Sequence, residues 1–159
     1  MQNNKGFTLI ELVIVIVILG VLAVTAASKF SGIQNDAREA TLDAAISAIQ
    51  AADSIVLSKS ITNGIDSIDN AKLNLGNGET VTTTFGHIRM HDIDIKKVVT
   101  LDGYTVLNAS SEYNEVKTTL LITNRKENTK ETILKSECFI AIGNSEYGEL
   151  QFFVNKDNC

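Results

Sequence analysis

A single carboxylate near the start of the chain stands out chemically, because it interrupts a long apolar run. Residues 7–27 are almost all apolar, and Glu11 is the one charged residue among them. A carboxylate at the centre of a membrane-spanning segment costs about 2.5–3.5 kcal/mol or more, so a partner is expected. No cation lies within the run, and the sequence predicts that Glu11 lacks a partner inside its own segment.

A cut after Gly6 would create such a partner, because Phe7 would then carry a cationic α-amine close to Glu11 in sequence. In one isolated helix the two groups could meet directly. In a bundle of such helices, Glu11 could equally meet the amine of a neighbouring copy. The second arrangement would fix the axial stagger of the copies, since opposite charges attract strongly in a medium of low dielectric constant.

Other chemically capable residues do not form a recognisable site. His87 and His91 have the spacing of a zinc pair, but no metalloprotease-type Glu lies between them, so an exposed loop pair is expected. Asp92 and Asp94 lack a loop of regularly spaced oxygen ligands for calcium. The glycines of residues 74–78 lack a phosphate-binding spacing and indicate a turn. The sequence predicts no catalytic residue, no metal and no cofactor.

The apolar run itself has the dimensions of a membrane span. Residues 7–27 would form a helix of roughly 30 Å at about 1.5 Å per residue, which is the thickness of the hydrocarbon layer. Lys5 on the short flank favours a cytoplasmic N-terminus. A secretory signal peptide is the alternative, but the run is longer than a usual signal core and contains Glu11. A spanning helix is therefore favoured.

The helical pattern continues past the span. Small and apolar residues recur at three- and four-residue steps, as in an amphipathic helix: Ala37, Ala40, Thr41, Ala44, Ala45, Ala48, Ile49, Ala52 and Val56. Residues 28–35 contain no proline. One helix is therefore expected from about Phe7 to Ser58.

The remainder of the chain changes to a shorter period. Residues 61–79 are rich in Asn, Gly, Asp and Ser and predict a long loop. The β-branched runs that follow predict strands at residues 80–85, 98–107, 116–123, 131–142 and 149–154. An antiparallel sheet covered by the apolar face of the long helix would give an α+β fold.

Bulk properties limit the partners. The chain has 159 residues, enough for one compact domain and an appendage. Its net charge of -5 argues against a nucleic-acid binder, which needs clustered cations. The two cysteines, Cys138 and Cys159, would pair in an exported protein, and two unconnected thiols are the alternative.

The order Lys5-Gly6-Phe7-Thr8-Leu9-Ile10-Glu11 resembles the cleavage and methylation motif of type IV prepilins, in particular the short-leader type IVa group. The resemblance implies an α+β pilin fold, cleavage after Gly6 by the prepilin peptidase, N-methylation of Phe7 and a subunit-joining role for Glu11. It also implies a C-terminal region bounded by a disulfide between Cys138 and Cys159, and a structural protein that is not an enzyme.

This resemblance sets the expected organisation. Residues 1–6 are a leader, residues 7–30 a hydrophobic filament-core helix and residues 31–159 a globular head. Before assembly, the subunit is expected to reside in the inner membrane with its head in the periplasm. An inner-membrane platform and ATPase then assemble it into an extracellular homopolymer for surface attachment, biofilm formation or motility. No nucleic acid is required.

A looser similarity extends to mannose-sensitive haemagglutinin pilins, through residues 19–30 and 35–42. The family often has proline where this chain has Ser28, so the usual cause of a kink is missing. The low helix propensity of Gly20 predicts instead that the stretch from Gly20 to Ser28 loosens within a filament.

Two other functions share the same anchor. A type II secretion pseudopilin or a minor pilin would have the same N-terminal motif, although the cysteine pair favours the pilus. A membrane-tethered binding module would need a pocket in the head, for which the sequence offers no residues.

Overall fold

The protein is described by a computed structural model for residues 7–113 and 116–159. It divides into two compact units, one ending at Ala37 and one running from Arg38 to Cys159. Helix α1 (Leu9–Thr62) contributes to both units, close to the predicted bounds. The second unit is the head described below.

A first antiparallel sheet follows α1. It contains β1 (Asp69–Asn74), β2 (Thr80–Thr84) and β3 (His87–Ile88), in that order. Strand β2 confirms the prediction for residues 80–85. The prediction of a continuous loop over residues 61–79 is wrong, because β1 lies within it. This strand is mostly polar and buries only Leu73, so pairing with β2, and not an apolar pattern, makes it a strand.

A second antiparallel sheet, in the order β4-β5-β6-β7, completes the head together with two short helices. The α+β prediction is confirmed, with two sheets in place of the single one expected. The remaining elements are α2 (Asp92–Val98), β4 (Thr105–Tyr113), β5 (Val116–Thr123), α3 (Lys130–Ser136), β6 (Phe139–Asn144) and β7 (Leu150–Asn155).

Two strand predictions are wrong in their first halves. The strand expected at residues 98–107 begins only at Thr105, because Val98 ends α2 and Val99 packs in the core. The strand expected at residues 131–142 begins only at Phe139. There the Thr129 hydroxyl caps α3, and Glu137 ends it in the left-handed conformation at φ 51°. In the first halves of both predicted strands, the capping of a short helix therefore determined the structure, and the β-branched composition did not.

The core lies between α1 and the sheets, as expected from the amphipathic pattern. Leu42, Ile49 and Val56 of α1 are buried in one cluster with residues of both sheets, including Val81 and Leu120. A smaller cluster on Leu121 and Phe139 lies with Ile133 of α3. Burial of these side chains contributes about 1.5–3 kcal/mol each.

A buried carboxylate joins α1 to the first sheet. Asp53 is 7% exposed, and its Oδ1 accepts a hydrogen bond of 2.8 Å from the Ile88 backbone N–H. Its Oδ2 lies 2.7 Å from Nδ1 of His87. The expectation that His87 is an exposed loop residue is therefore wrong, since it lies in β3 and contacts α1. Removing Asp53 would leave the Ile88 N–H without this acceptor.

The two sheets are joined at the ends of β3 and β6. The Asn144 side chain accepts from the Met90 N–H at 2.9 Å and donates to the Ile88 carbonyl at 3.0 Å. Close by, Gly148 packs so tightly that a Cβ there would lie 2.1 Å from the Thr84 carbonyl oxygen. This junction tolerates no side chain at Gly148.

We expect Gly148→Ala to reduce the free energy of unfolding by about 2–4 kcal/mol, since it combines left-handed backbone strain with a steric clash. Gly103→Ala is the matched control, because Gly103 has φ 85° but open space around a built Cβ. The control should lose only about 1–2 kcal/mol, which is the cost of the left-handed conformation alone. Urea unfolding of the full chain in detergent measures both losses. Equal losses of unfolding free energy in the two variants would show that the clash with Thr84 does not contribute to the effect.

Candidate assembly site

The candidate site is the N-terminal turn of α1. Gly6, the residue before the predicted cut, lies outside the described residues. Phe7 is 88% exposed. The helix begins at Leu9, so Phe7 and Thr8 precede its first turn.

Thr8 and Glu11 form a reciprocal cap on this turn. The Thr8 N–H and hydroxyl donate to Oε2 of Glu11 at 2.8 and 2.7 Å. In return, the Glu11 N–H donates to the Thr8 hydroxyl oxygen at 3.3 Å. These contacts satisfy backbone N–H groups that a helix N-terminus leaves without partners.

The expectation that nothing within the segment partners Glu11 is therefore wrong. The partner is a neutral threonine and not a cation, so the pattern of charges along the sequence gives no sign of it. The Thr-x-x-Glu spacing is the sequence signal of a capping box, and it would have identified Thr8. In this chain Glu11 thus has a structural role within its own helix.

The helix that follows presents apolar side chains on all faces. Its large apolar residues from Leu9 to Val24 are 43–80% exposed. A window of this helix has a mean hydropathy of 3.0 and is long and apolar enough to cross a membrane. An exposed apolar surface of this size indicates a segment that is covered by lipid or by other chains.

The stretch predicted to loosen is helical in this structure. Helix α1 passes through Gly20 and Ser28 without a break, and the Thr25 hydroxyl donates to the Leu22 carbonyl at 2.9 Å. A Cβ at Gly20 would meet nothing within 4 Å. Loosening concerns the assembled filament and stays a prediction.

The cysteine prediction is confirmed. Cys138 and Cys159 form a disulfide, which excludes the two unconnected thiols. Both cysteines are buried, and the Cys159 carbonyl accepts hydrogen bonds from Arg38 at 3.0 Å and from Arg125 at 3.2 Å. The disulfide and these arginines hold the last residues of the chain against the head.

The aspartates considered for calcium have other partners. Asp94 is 2% exposed and binds the Arg89 guanidinium at 2.6 and 3.0 Å. The Asn108 amide donates to Asp92 and lowers the pKa of that carboxyl. Within residues 7–113 and 116–159, no three His, Cys, Asp or Glu side chains group as a metal site would require.

Comparisons with known proteins agree with this N-terminal geometry. Residues 1–27 match the family model of the prokaryotic N-terminal methylation motif. The chain is 38% identical over 84 residues to the type IV narrow pilus major component PilA5 of Thermus thermophilus. That alignment covers 53% of this chain and 71% of the relative. No solved structure matches.

The methylation motif, the exposed apolar helix and the α+β head agree with one another. Together with 38% identity to a pilus component of which the alignment covers 71%, they show that this chain belongs to the type IV pilin family.

Proposed function

We propose that this pilin is a structural subunit of a type IV pilus. The observation that carries the proposal is the exposed apolar helix of residues 9–24, capped by Thr8 and Glu11 and continuous with a helix of the head. Pilins are processed by the prepilin peptidase and polymerise into a pilus. The relative in Thermus thermophilus is named as a major component, which supports the same role here.

The proposed processing uses residues 5–11. The peptidase cuts after Gly6, and the new amino group of Phe7 is methylated. Methylation of an amine retains its positive charge, so the pairing with Glu11 is preserved. Residues 7–30 then enter the filament core and residues 31–159 form its outer layer.

Glu11 can serve two partners at once. A carboxylate has about four acceptor positions. Thr8 uses only Oε2 through its N–H and hydroxyl. The remaining positions are available to the Phe7 amine of an adjacent subunit, and this charge pair sets the stagger between subunits while the apolar surfaces supply adhesion.

Before assembly, we propose that the subunit crosses the inner membrane with its N-terminus in the cytoplasm. The single cation of the leader, Lys5, favours this orientation. The head then lies in the periplasm, where an oxidising environment supports the Cys138–Cys159 disulfide. A platform and ATPase of the inner membrane extract the subunit into the growing fibre.

Deleting the gene should remove surface fibres seen by electron microscopy, and mass spectrometry of purified wild-type fibres should find an N-methylated Phe7 as the first residue. A Gly6→Val precursor, which disturbs the cut, should remain unprocessed in the membrane. Fibres that persist after deletion would contradict a major-subunit role and favour a minor pilin or a secretion pseudopilin.

Variants of the cap can separate its two roles. Glu11→Gln keeps an acceptor for Thr8 but removes the charge, whereas Thr8→Val removes the hydroxyl and keeps the charge. If the charge sets the stagger, Glu11→Gln should lower fibre yield at least about tenfold, equivalent to about 1.4 kcal/mol, with normal cleavage. Thr8→Val should assemble nearly normally. Equal losses in both variants would assign the effect to capping.

Loosening between Gly20 and Ser28 is also testable in fibres. Amide hydrogen exchange there should be faster than in the turns on either side. Gly20→Ala should slow it about fivefold, since alanine gains about 1 kcal/mol of helix propensity over glycine. Gly32→Ala, at an equally open helical site, is the control. Unbroken, evenly protected helix in the fibre would contradict the proposal.

A further inference from the structure

An open groove of about 480 Å³ runs along the head beside α1. Its α1 wall carries small and apolar side chains, among them Ala51 and Ile55, and Val98 lies on the facing wall. Ile55 is 61% exposed, although it is a large apolar residue. We name this feature the lysine groove, because two lysines also line it.

The two ammonium groups are Lys59 and Lys97. Lys59 donates to the Leu75 carbonyl at 2.7 Å, and Lys97 donates to the Thr80 carbonyl at 2.6 Å. Each is exposed enough to keep further donor positions, since an ammonium has three. No acidic residue is among the described residues that line the groove, and Glu79, whose carboxylate accepts from the Asn77 amide at 3.4 Å, is not part of that lining. The lysine groove is therefore apolar with a cationic rim.

A complementary projection lies elsewhere on the same head. The tyrosine turn, Ser145–Glu149, connects β6 to β7 and presents Tyr147 at 77% exposure. Glu146 and Glu149 lie on the same turn and are exposed. Lys117 lies beside the turn, so the local balance is two carboxylates against one ammonium.

Hydrogen bonds restrict the backbone of the tyrosine turn. Its ends are joined by a hydrogen bond of 2.8 Å from the Ser145 N–H to the Glu149 carbonyl. The Asn144 amide donates to the Gly148 carbonyl at 2.7 Å. A rigid exposed aromatic residue loses little conformational entropy on binding, and tyrosine is a frequent anchor of protein interfaces.

The two features lie at opposite ends of strand β2. Lys97 contacts the carbonyl of Thr80 at its start, whereas Gly148 packs against the carbonyl of Thr84 at its end. These positions are roughly 13 Å apart along a strand that rises about 3.3 Å per residue. The turn of one head therefore does not reach its own groove. A second copy of the chain is the occupant that the complementary charges of the two surfaces favour.

We propose that the tyrosine turn of one subunit docks in the lysine groove of the next. Tyr147 covers the apolar wall at Ile55, and Glu146 and Glu149 meet the ammonium groups of Lys59 and Lys97. Because the two surfaces differ, each subunit offers one donor and one acceptor surface, so the contact can repeat from subunit to subunit along the proposed filament. The inference rests on the proposed filament and names one contact between its heads.

Cysteine substitution in full-length fibres tests the contact. Ala51→Cys with Glu146→Cys places one thiol in the groove and one on the turn while keeping Tyr147. Non-reducing gels of these fibres should show a ladder of dimers, trimers and longer species. Each single variant, and Ala51→Cys paired with Glu131→Cys on α3, should run as a monomer.

Charge reversal provides a second test that needs no added thiol. Glu146→Lys with Glu149→Lys should lower fibre yield about tenfold, and adding Lys59→Glu with Lys97→Glu should restore it. Circular dichroism checks that each head is folded. An unchanged fibre yield in the glutamate variant would overturn the proposal. So would a reduced yield that the lysine substitutions do not restore although the heads are folded.

Fibres that form but give only monomers with Ala51→Cys and Glu146→Cys would overturn this contact and leave the pilus proposal intact. Absence of fibres from the unmodified chain would refute the proposed function itself.

Discussion

The structure depends on satisfying polar groups at the start of an apolar helix. Backbone N–H groups in the first turn of a helix have no partner within it, and in lipid no water replaces one. Thr8 and Glu11 supply acceptors within a single chain for two of these groups, the N–H of Thr8 at 2.8 Å and the N–H of Glu11 at 3.3 Å. The same carboxylate retains acceptor positions for a neighbouring amine. Under the proposed function, the residue that caps its own helix would also guide the assembly of the subunit.

In the core of the head, side chains likewise supply acceptors for backbone N–H groups. Asp53 on α1 and Asn144 on β6 are polar side chains that accept from backbone N–H groups of the β3 segment, at Ile88 and Met90. Apolar packing alone would leave those groups unpaired, at a cost of about 1–3 kcal/mol each. The helix and the two sheets are thus held in one arrangement by specific acceptors as well as by burial.

Sequence patterns predicted those features that depend on long or local signals. Helix α1 and strands β2, β5 and β7 follow from periodicity and from β-branched runs. Strand β1 was missed because its pairing with β2, and not its composition, makes it a strand. The starts of β4 and β6 were misplaced because His91 and Thr129 cap short helices ahead of them. The capping role of Thr8 was not predicted, although its three-residue spacing to Glu11 is that of a capping box.

The proposed contact between heads could not be read from sequence, because its two halves meet only between copies. Tyr147 and Lys97 are far apart in the chain, and only the fold places them at opposite ends of β2. Neighbouring helices in an apolar bundle can shift along the axis at little energetic cost, since their surfaces are uniform in that direction. A charged pair at Glu11 would fix the stagger at the core. A second contact, between unlike faces of rigid heads, would fix the rotation of each subunit about that core.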